Sequence, residues 1–225
     1  LVGSEMCIRD RGKTSLLYEL AEEYRQEGKR VLLTTTTKMY LPEKDGVLDG
    51  TAKEIKEKLE RDGFAVAGSV FSEEKMGSLP KAVFDEVFSF ADVVLVEADG
   101  SKRMPLKMPR QDEPVLPEEC DFLVTVAGLS ALEQPWEQAC HRFALVSSMF
   151  SGKTVTEGDI FPILQAGYGT LWDKIQGCVF LNQADVAGWD RAERIAADFS
   201  VPCLWGSLRQ KQYHRKEGDS HERSI

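Results

Sequence analysis

Several features are missing from this sequence. No uninterrupted apolar run approaches the roughly 18 residues that a membrane-spanning helix needs. No signal peptide is recognisable either, so a cytoplasmic location without membrane contact is expected. None of the five cysteines sits in a CxxC pair, which removes the common zinc and dithiol signatures and leaves buried, reduced thiols as the expectation. Cys140 and His141 are adjacent potential ligands, but no second pair accompanies them, so they are a weak metal signal. Basic charge is scarce: 28 Lys and Arg stand against 37 Asp and Glu, for a net charge of −9. Such a balance argues against nucleic acid as a partner. Glycine is absent from Ser4 to Arg11, directly ahead of a Gly12-Lys13-Thr14-Ser15 run that otherwise looks like the end of a phosphate-binding loop.

What is present suits a folded α/β domain. The chain has 225 residues, of which 42% are hydrophobic and 29% charged, enough for a sizeable core. Short apolar, β-branched runs alternate with helical patterns. Residues 15–27 predict a helix, with Leu16, Leu17, Leu20, Ala21 and Tyr24 on one face and Gly28 as its stop. Further helices are expected at 51–62, 79–90, 154–166 and 189–199, the third of these ended by Gly167. Strands are expected at KRVLLTTTT, FAVAGSVF, ADVVLVEADG, CDFLVTVAG, GCVFLNQAD and VPCLWGS. This alternation predicts a doubly wound, mostly parallel sheet with helices on both faces. One such domain is expected over 12–208, with a polar tail at 209–225.

In open α/β sheets ligands collect beyond the carboxyl ends of the strands, so the residues just after each apolar run carry the chemistry. At Gly12-Lys13-Thr14-Ser15 the backbone N–H groups of a helix start would face an anion, Lys13 would supply a point charge, and the Thr14 hydroxyl would ligate Mg²⁺. Asp99, after a buried strand, is placed to hold the metal directly or through water, and Glu97 to orient water. VFLNQAD is similar to the Asn-Lys-x-Asp guanine motif of GTPases. The Asp185 carboxylate would accept from guanine N1–H and N2–H₂, and Asn182 would tie the base or neighbouring loops. Thr36 or Thr37 would reach the metal or a terminal phosphate, with Lys38 nearby. The cationic run SKRMPLKMPRQ would grip phosphates or an acidic partner, and His141-Arg142 would line the same cleft.

Taken together, GKTS, TTTTKMYLP, EADGSKRMPLKMP, VAGLSALEQP with HRF, and VFLNQAD resemble the YqeC family, accessory proteins of selenium-dependent molybdenum hydroxylases. The resemblance runs from Gly12 to about Ser207. It implies a P-loop NTPase-like fold and a role in maturing such a hydroxylase. By the same resemblance Gly12, Lys13 and Thr14 meet the phosphates, Asp99 meets the metal, and Thr37, Lys38, Lys102, Arg103 and Lys107 form a family-specific site. Family members carry a compact VGAGGKT-like turn after a full first strand. Here Gly3 and Gly12 are nine positions apart, whereas a phosphate loop spaces its glycines about five apart. Glu, Met, Ile and Arg tolerate positive φ poorly. Residues 1–11 are therefore expected to be foreign to the fold, the first strand and the phosphate loop being truncated.

The function expected from these signals is Mg²⁺-dependent binding and hydrolysis of GTP (or ATP) in support of hydroxylase maturation. The rival is a non-hydrolysing scaffold that recognises a nucleotide-bearing molybdenum cofactor and docks onto the hydroxylase. A small-molecule kinase ranks below both, because the arginines are scattered rather than gathered on a lid.

Overall fold

The computed structural model describes residues 11–100 and 102–216, which divide into two compact units. The first unit holds 13–100 and 112–118; the second holds 11–12, 102–111 and 119–216.

The first unit begins with α1 (Lys13–Gln26), followed by β1 (Val31–Thr35), β2 (Met39–Tyr40), β3 (Gly46–Leu48), α2 (Ala52–Asp62), β4 (Phe64–Val70), β5 (Lys75–Gly77), α3 (Lys81–Phe88) and β6 (Val93–Glu97). The strands form one mixed sheet in the order β2-β5-β4-β1-β6, with β3 beside β4. β1 runs parallel to β4 and β6, whereas β5 is antiparallel to both β4 and β2. Alternation along the strands sorts the core by face, as the two-residue period of a pleated strand requires. Leu32, Ala65 and Ala67 pack with Ile55 and Leu59 of α2 and Val87 of α3. Val31, Leu33, Phe64 and Val66 pack with Ala21 of α1. α2 is fixed at both ends: Thr51 and Glu54 form a reciprocal capping box, and Gly63 takes the left-handed conformation at φ 70°. Gly28, at φ 77°, closes α1 in the same way.

The second unit contains β7 (Leu106–Lys107), β8 (Leu123–Gly128), α4 (Trp136–Ala139), β9 (Cys140–His141), α5 (Glu157–Trp172), β10 (Gly177–Asn182), α6 (Ala184–Ala187), α7 (Trp189–Ala197), β11 (Cys203–Ser207) and β12 (Gln212–Arg215). Its main sheet has the order β12-β11-β10-β8. β8, β10 and β11 are parallel and β12 is antiparallel. β7 and β9 make a separate two-stranded pair. The core gathers Ile160, Ile163 and Leu164 of α5, Ile195 of α7 and Trp136, whose ring stacks on Phe143 at 4.5 Å.

The expected doubly wound, mostly parallel sheet is not what forms. The strands fall into two mixed sheets in separate units, each with antiparallel members, and a separate β7–β9 pair. Local turns are the physical cause. Phe71 and Ser72 donate backbone hydrogen bonds to the Lys75 carbonyl, which folds β5 back on β4. Lys211, left-handed at φ 53°, immediately precedes β12 and its return along β11. β12 lies inside the stretch expected as a polar tail. Helix α5 also runs past Gly167, which was expected to stop it. A Cβ at Gly167 would sit 2.8 Å from Pro109 Cδ, so glycine serves close packing there rather than termination. The expected foreign segment and truncated first strand fall on residues 1–10, outside the described residues. Arg11, grouped with that segment, is buried and donates to the Val126 carbonyl and the Tyr168 hydroxyl at 3.4 and 3.2 Å.

Candidate functional site

In the first unit, the start of α1 meets the end of β6. Lys13 donates to both the carboxylate and the backbone carbonyl of Asp99, and its ammonium lies 4.0 Å from Glu97 Oε1. Thr14 donates its hydroxyl to Glu97 Oε2. The side chains are nearly dry: 14% exposed for Lys13, 8% for Glu97 and 7% for Asp99. The sequence places them there for simple reasons. Lys13 and Thr14 are consecutive at the helix start. β6 is held in register by β1, with Thr35 opposite Glu97. Removing one partner from a buried ion pair typically costs about 3–5 kcal/mol.

The threonine run at the end of β1 fastens backbone. Thr34 donates to the Ala67 carbonyl at 2.7 Å and Thr35 to the Glu97 carbonyl at 2.8 Å. Thr36 donates to the Val115 carbonyl, while Val115 N–H donates to Ala98 O at 3.1 Å. Thr37 donates its N–H to the Thr35 hydroxyl. Lys38 sits over the Phe71 ring, 3.6 Å from its centroid, and is not part of the Lys13 cluster. Ser15 follows within α1.

In the second unit, the end of β10 is organised differently. The buried Asn182 amide donates to the Arg11 carbonyl and accepts from Leu208 N–H, both at 3.1 Å. It ties loops together. Gly12, at φ 88°, is pressed against it: a Cβ there would lie 2.3 Å from Asn182 Nδ2. Gln183 takes φ 70° and accepts from Ser130 N–H at 3.3 Å. Asp185, half-buried in α6, has no hydrogen-bond or ion-pair partner among the described residues. Lys102 and Arg103 are exposed and both left-handed, at φ 51° and 61°. Lys107 is instead fully buried on β7, opposite His141 of β9. Arg142 is left-handed at φ 64°.

Two features escape sequence reasoning. The burial of Lys107 has no signal in a run as cationic as SKRMPLK. Tyr18 carries no motif, although it stands four residues after Thr14 and so shares its face of α1. Its hydroxyl ionises above the usual tyrosine range, first because it is buried and then because Asp45, Glu43 and Glu97 are near.

The donor set fits Mg²⁺ in one form. Thr14, Glu97 and Asp99 offer hard oxygen ligands, the kind Mg²⁺ prefers. Among the described residues no group of three or more His, Cys, Asp or Glu forms that could hold a metal alone.

Fold and site thus define a mixed α/β protein with a lysine–threonine pair facing two carboxylates. The family model described as "YqeC protein" matches residues 11–144, and the chain belongs to that family. The matched stretch takes in Lys13, Thr14, Glu97 and Asp99 and leaves out Asn182 and Asp185. The chain is also similar to "Uncharacterized protein YqeC" of Escherichia coli (strain K12), at 29% identity over 177 residues, covering 74% of this chain and 69% of that protein. No solved structure matches it. No helix among the described residues is long and apolar enough to cross a membrane.

Proposed function

We propose that this chain binds a nucleoside triphosphate with Mg²⁺ at the Lys13–Thr14–Glu97–Asp99 cluster and hydrolyses it, in support of the maturation of a selenium-dependent molybdenum hydroxylase. The observation that carries the reading is the cluster itself: an ammonium and a hydroxyl from consecutive residues face two carboxylates in a nearly dry setting. Thr14 and Asp99 would hold the metal. Mg²⁺, when bound, supplies positive charge against the phosphates. Lys13 exchanges Asp99 for phosphate oxygens, which frees the Asp99 carboxylate. Glu97 accepts a hydrogen bond from water and orients it. Catalysis of this kind is positioning and electrostatics, so turnover is slow unless a partner completes the site. The hydroxylase role rests on the family resemblance. Asp185, whose carboxylate has no partner among the described residues, suits two N–H donors by itself; it lies in the second unit and carries no part of this reading.

The test is equilibrium binding of GTP and ATP with and without Mg²⁺, followed by phosphate release, in the full chain and in Lys13→Met. Mg²⁺-dependent binding and release that both vanish in the variant support the reading. Binding without release supports the non-hydrolysing module for a nucleotide-bearing molybdenum cofactor. Absence of binding removes both.

A further inference from the structure

A cleft of about 500 Å³ runs along α1 in the first unit, within the range of small-molecule sites. Thr14, Tyr18, Glu22 and Arg25 line it from the helix, residues 40–45 from the opposite side, and Phe64 contributes an aromatic wall. Tyr18 meets Phe64 edge to face, with centroids 6.2 Å apart at 72°. Tyr40 adds a ring that is 45% exposed. The charges around the cleft are unequally available. Arg25 is engaged by Glu22 at 3.2 Å and Asp45 by Lys58 at 2.9 Å. Glu43 and Lys44 remain on the rim, exposed and without an ion-pair partner among the described residues.

The Tyr18 hydroxyl makes no hydrogen bond among the described residues, and burial together with Asp45, Glu43 and Glu97 keeps it protonated. At neutral pH it is therefore a donor, in a locally negative field. A lining of aromatic faces, one hydroxyl donor and nearby carboxylate acceptors disfavours anions. It favours a flat, uncharged ring that offers N–H groups on one edge and a lone pair on another.

We propose that this cleft binds a planar nitrogen heterocycle of the nucleobase class, its N–H edge toward Glu43 and a ring acceptor toward the Tyr18 hydroxyl. The choice of a nucleobase among flat heterocycles rests on the nucleotide reading above, because Thr14 belongs to both the cleft wall and the polar cluster. Asp185 belongs to the other unit and plays no part in this proposal.

Guanosine separates the two ideas, since it carries no phosphate and needs neither Lys13 nor Mg²⁺. It is titrated calorimetrically into the full chain without metal, and into Glu43→Gln and Tyr18→Phe. Glu43 is exposed, so Glu43→Gln leaves the fold intact, and Tyr18→Phe keeps the ring. Saturable binding is expected, weakened about tenfold or more by Glu43→Gln and about threefold to tenfold by Tyr18→Phe, the scale of charged and neutral hydrogen bonds. No saturable binding overturns the proposal. So does binding that both variants leave unchanged, or binding that is lost only in Asp185→Asn. Failure of Mg²⁺-dependent triphosphate binding with guanosine binding intact would sink the hydrolysis reading alone.

Discussion

The ends of β6 and β10 both carry polar side chains, and they are stabilised by opposite means. At the end of β6, Glu97 and Asp99 are matched by an ammonium and a hydroxyl from the start of α1. At the end of β10, Asn182 is used up in joining the Arg11 and Leu208 backbones, and the acidic residue beyond it, Asp185, is left without a partner among the described residues. The first arrangement pairs charges that a ligand can re-pair. The second sets a scaffold and leaves one carboxylate available. A strand-end carboxylate is thus not one kind of object: its neighbours decide whether it stabilises the fold or awaits a donor.

Substitution separates the two ends by size of effect. Breaking the β6 cluster has the largest. Lys13→Met should destabilise the chain by about 3–5 kcal/mol in urea unfolding, because the buried Asp99 carboxylate loses the ammonium it faces. Lys13→Met with Asp99→Leu should lose less than the sum of the single changes, as coupled neighbours do. Next comes the β10 tie. Asn182→Ala removes the hydrogen bonds to the Arg11 carbonyl and from the Leu208 N–H, at about 1–3 kcal/mol for a buried group that loses its partner, and the same unfolding measurement reads it.

Alkali sharpens the contrast, since the described cysteines all lie in the second unit. Burial pushes the Cys178 thiol to about 11 and the Cys203 thiol to about 12. Both folded values lie above the unfolded value near 8.5. The stability this represents is full below about pH 8.5 and is lost as pH rises through 11–12. Thiol-reactive dye at about pH 8 should label Cys178 and Cys203 only on unfolding; rapid labelling of the folded chain would contradict their burial. Thr51→Ala, which removes the α2 cap, should cost about 1 kcal/mol by thermal unfolding. Asp185→Asn has the smallest expected effect on stability, within about 0.5 kcal/mol, because its carboxylate has no partner among the described residues to lose.

Much of the first unit was readable because its signals are local. VVLVE and RVLLT are apolar runs, and residues 51–62 carry a charged helical pattern. Lys13 and Thr14 could be placed opposite Glu97 and Asp99 because each pair sits at the end of an element. The antiparallel strands were not readable: β5 is three residues and β12 four, too short for alternation to register. Nor do the strands carry a mark of which sheet they join, and a single sheet is expected where two mixed sheets and the β7–β9 pair form. Lys107 shows the same limit at a single residue, since its burial depends on β9 pairing from far along the chain.

The central question is whether the β6 cluster exchanges its internal partners for a metal-bound triphosphate. The direct measurement is triphosphate affinity as a function of Mg²⁺ in the full chain and in Thr14→Val, which removes only the hydroxyl that faces Glu97. Affinity that rises with Mg²⁺ in the full chain and ignores it in Thr14→Val is the predicted result. Identical Mg²⁺ curves for the two proteins, or no dependence on Mg²⁺ in either, would contradict it.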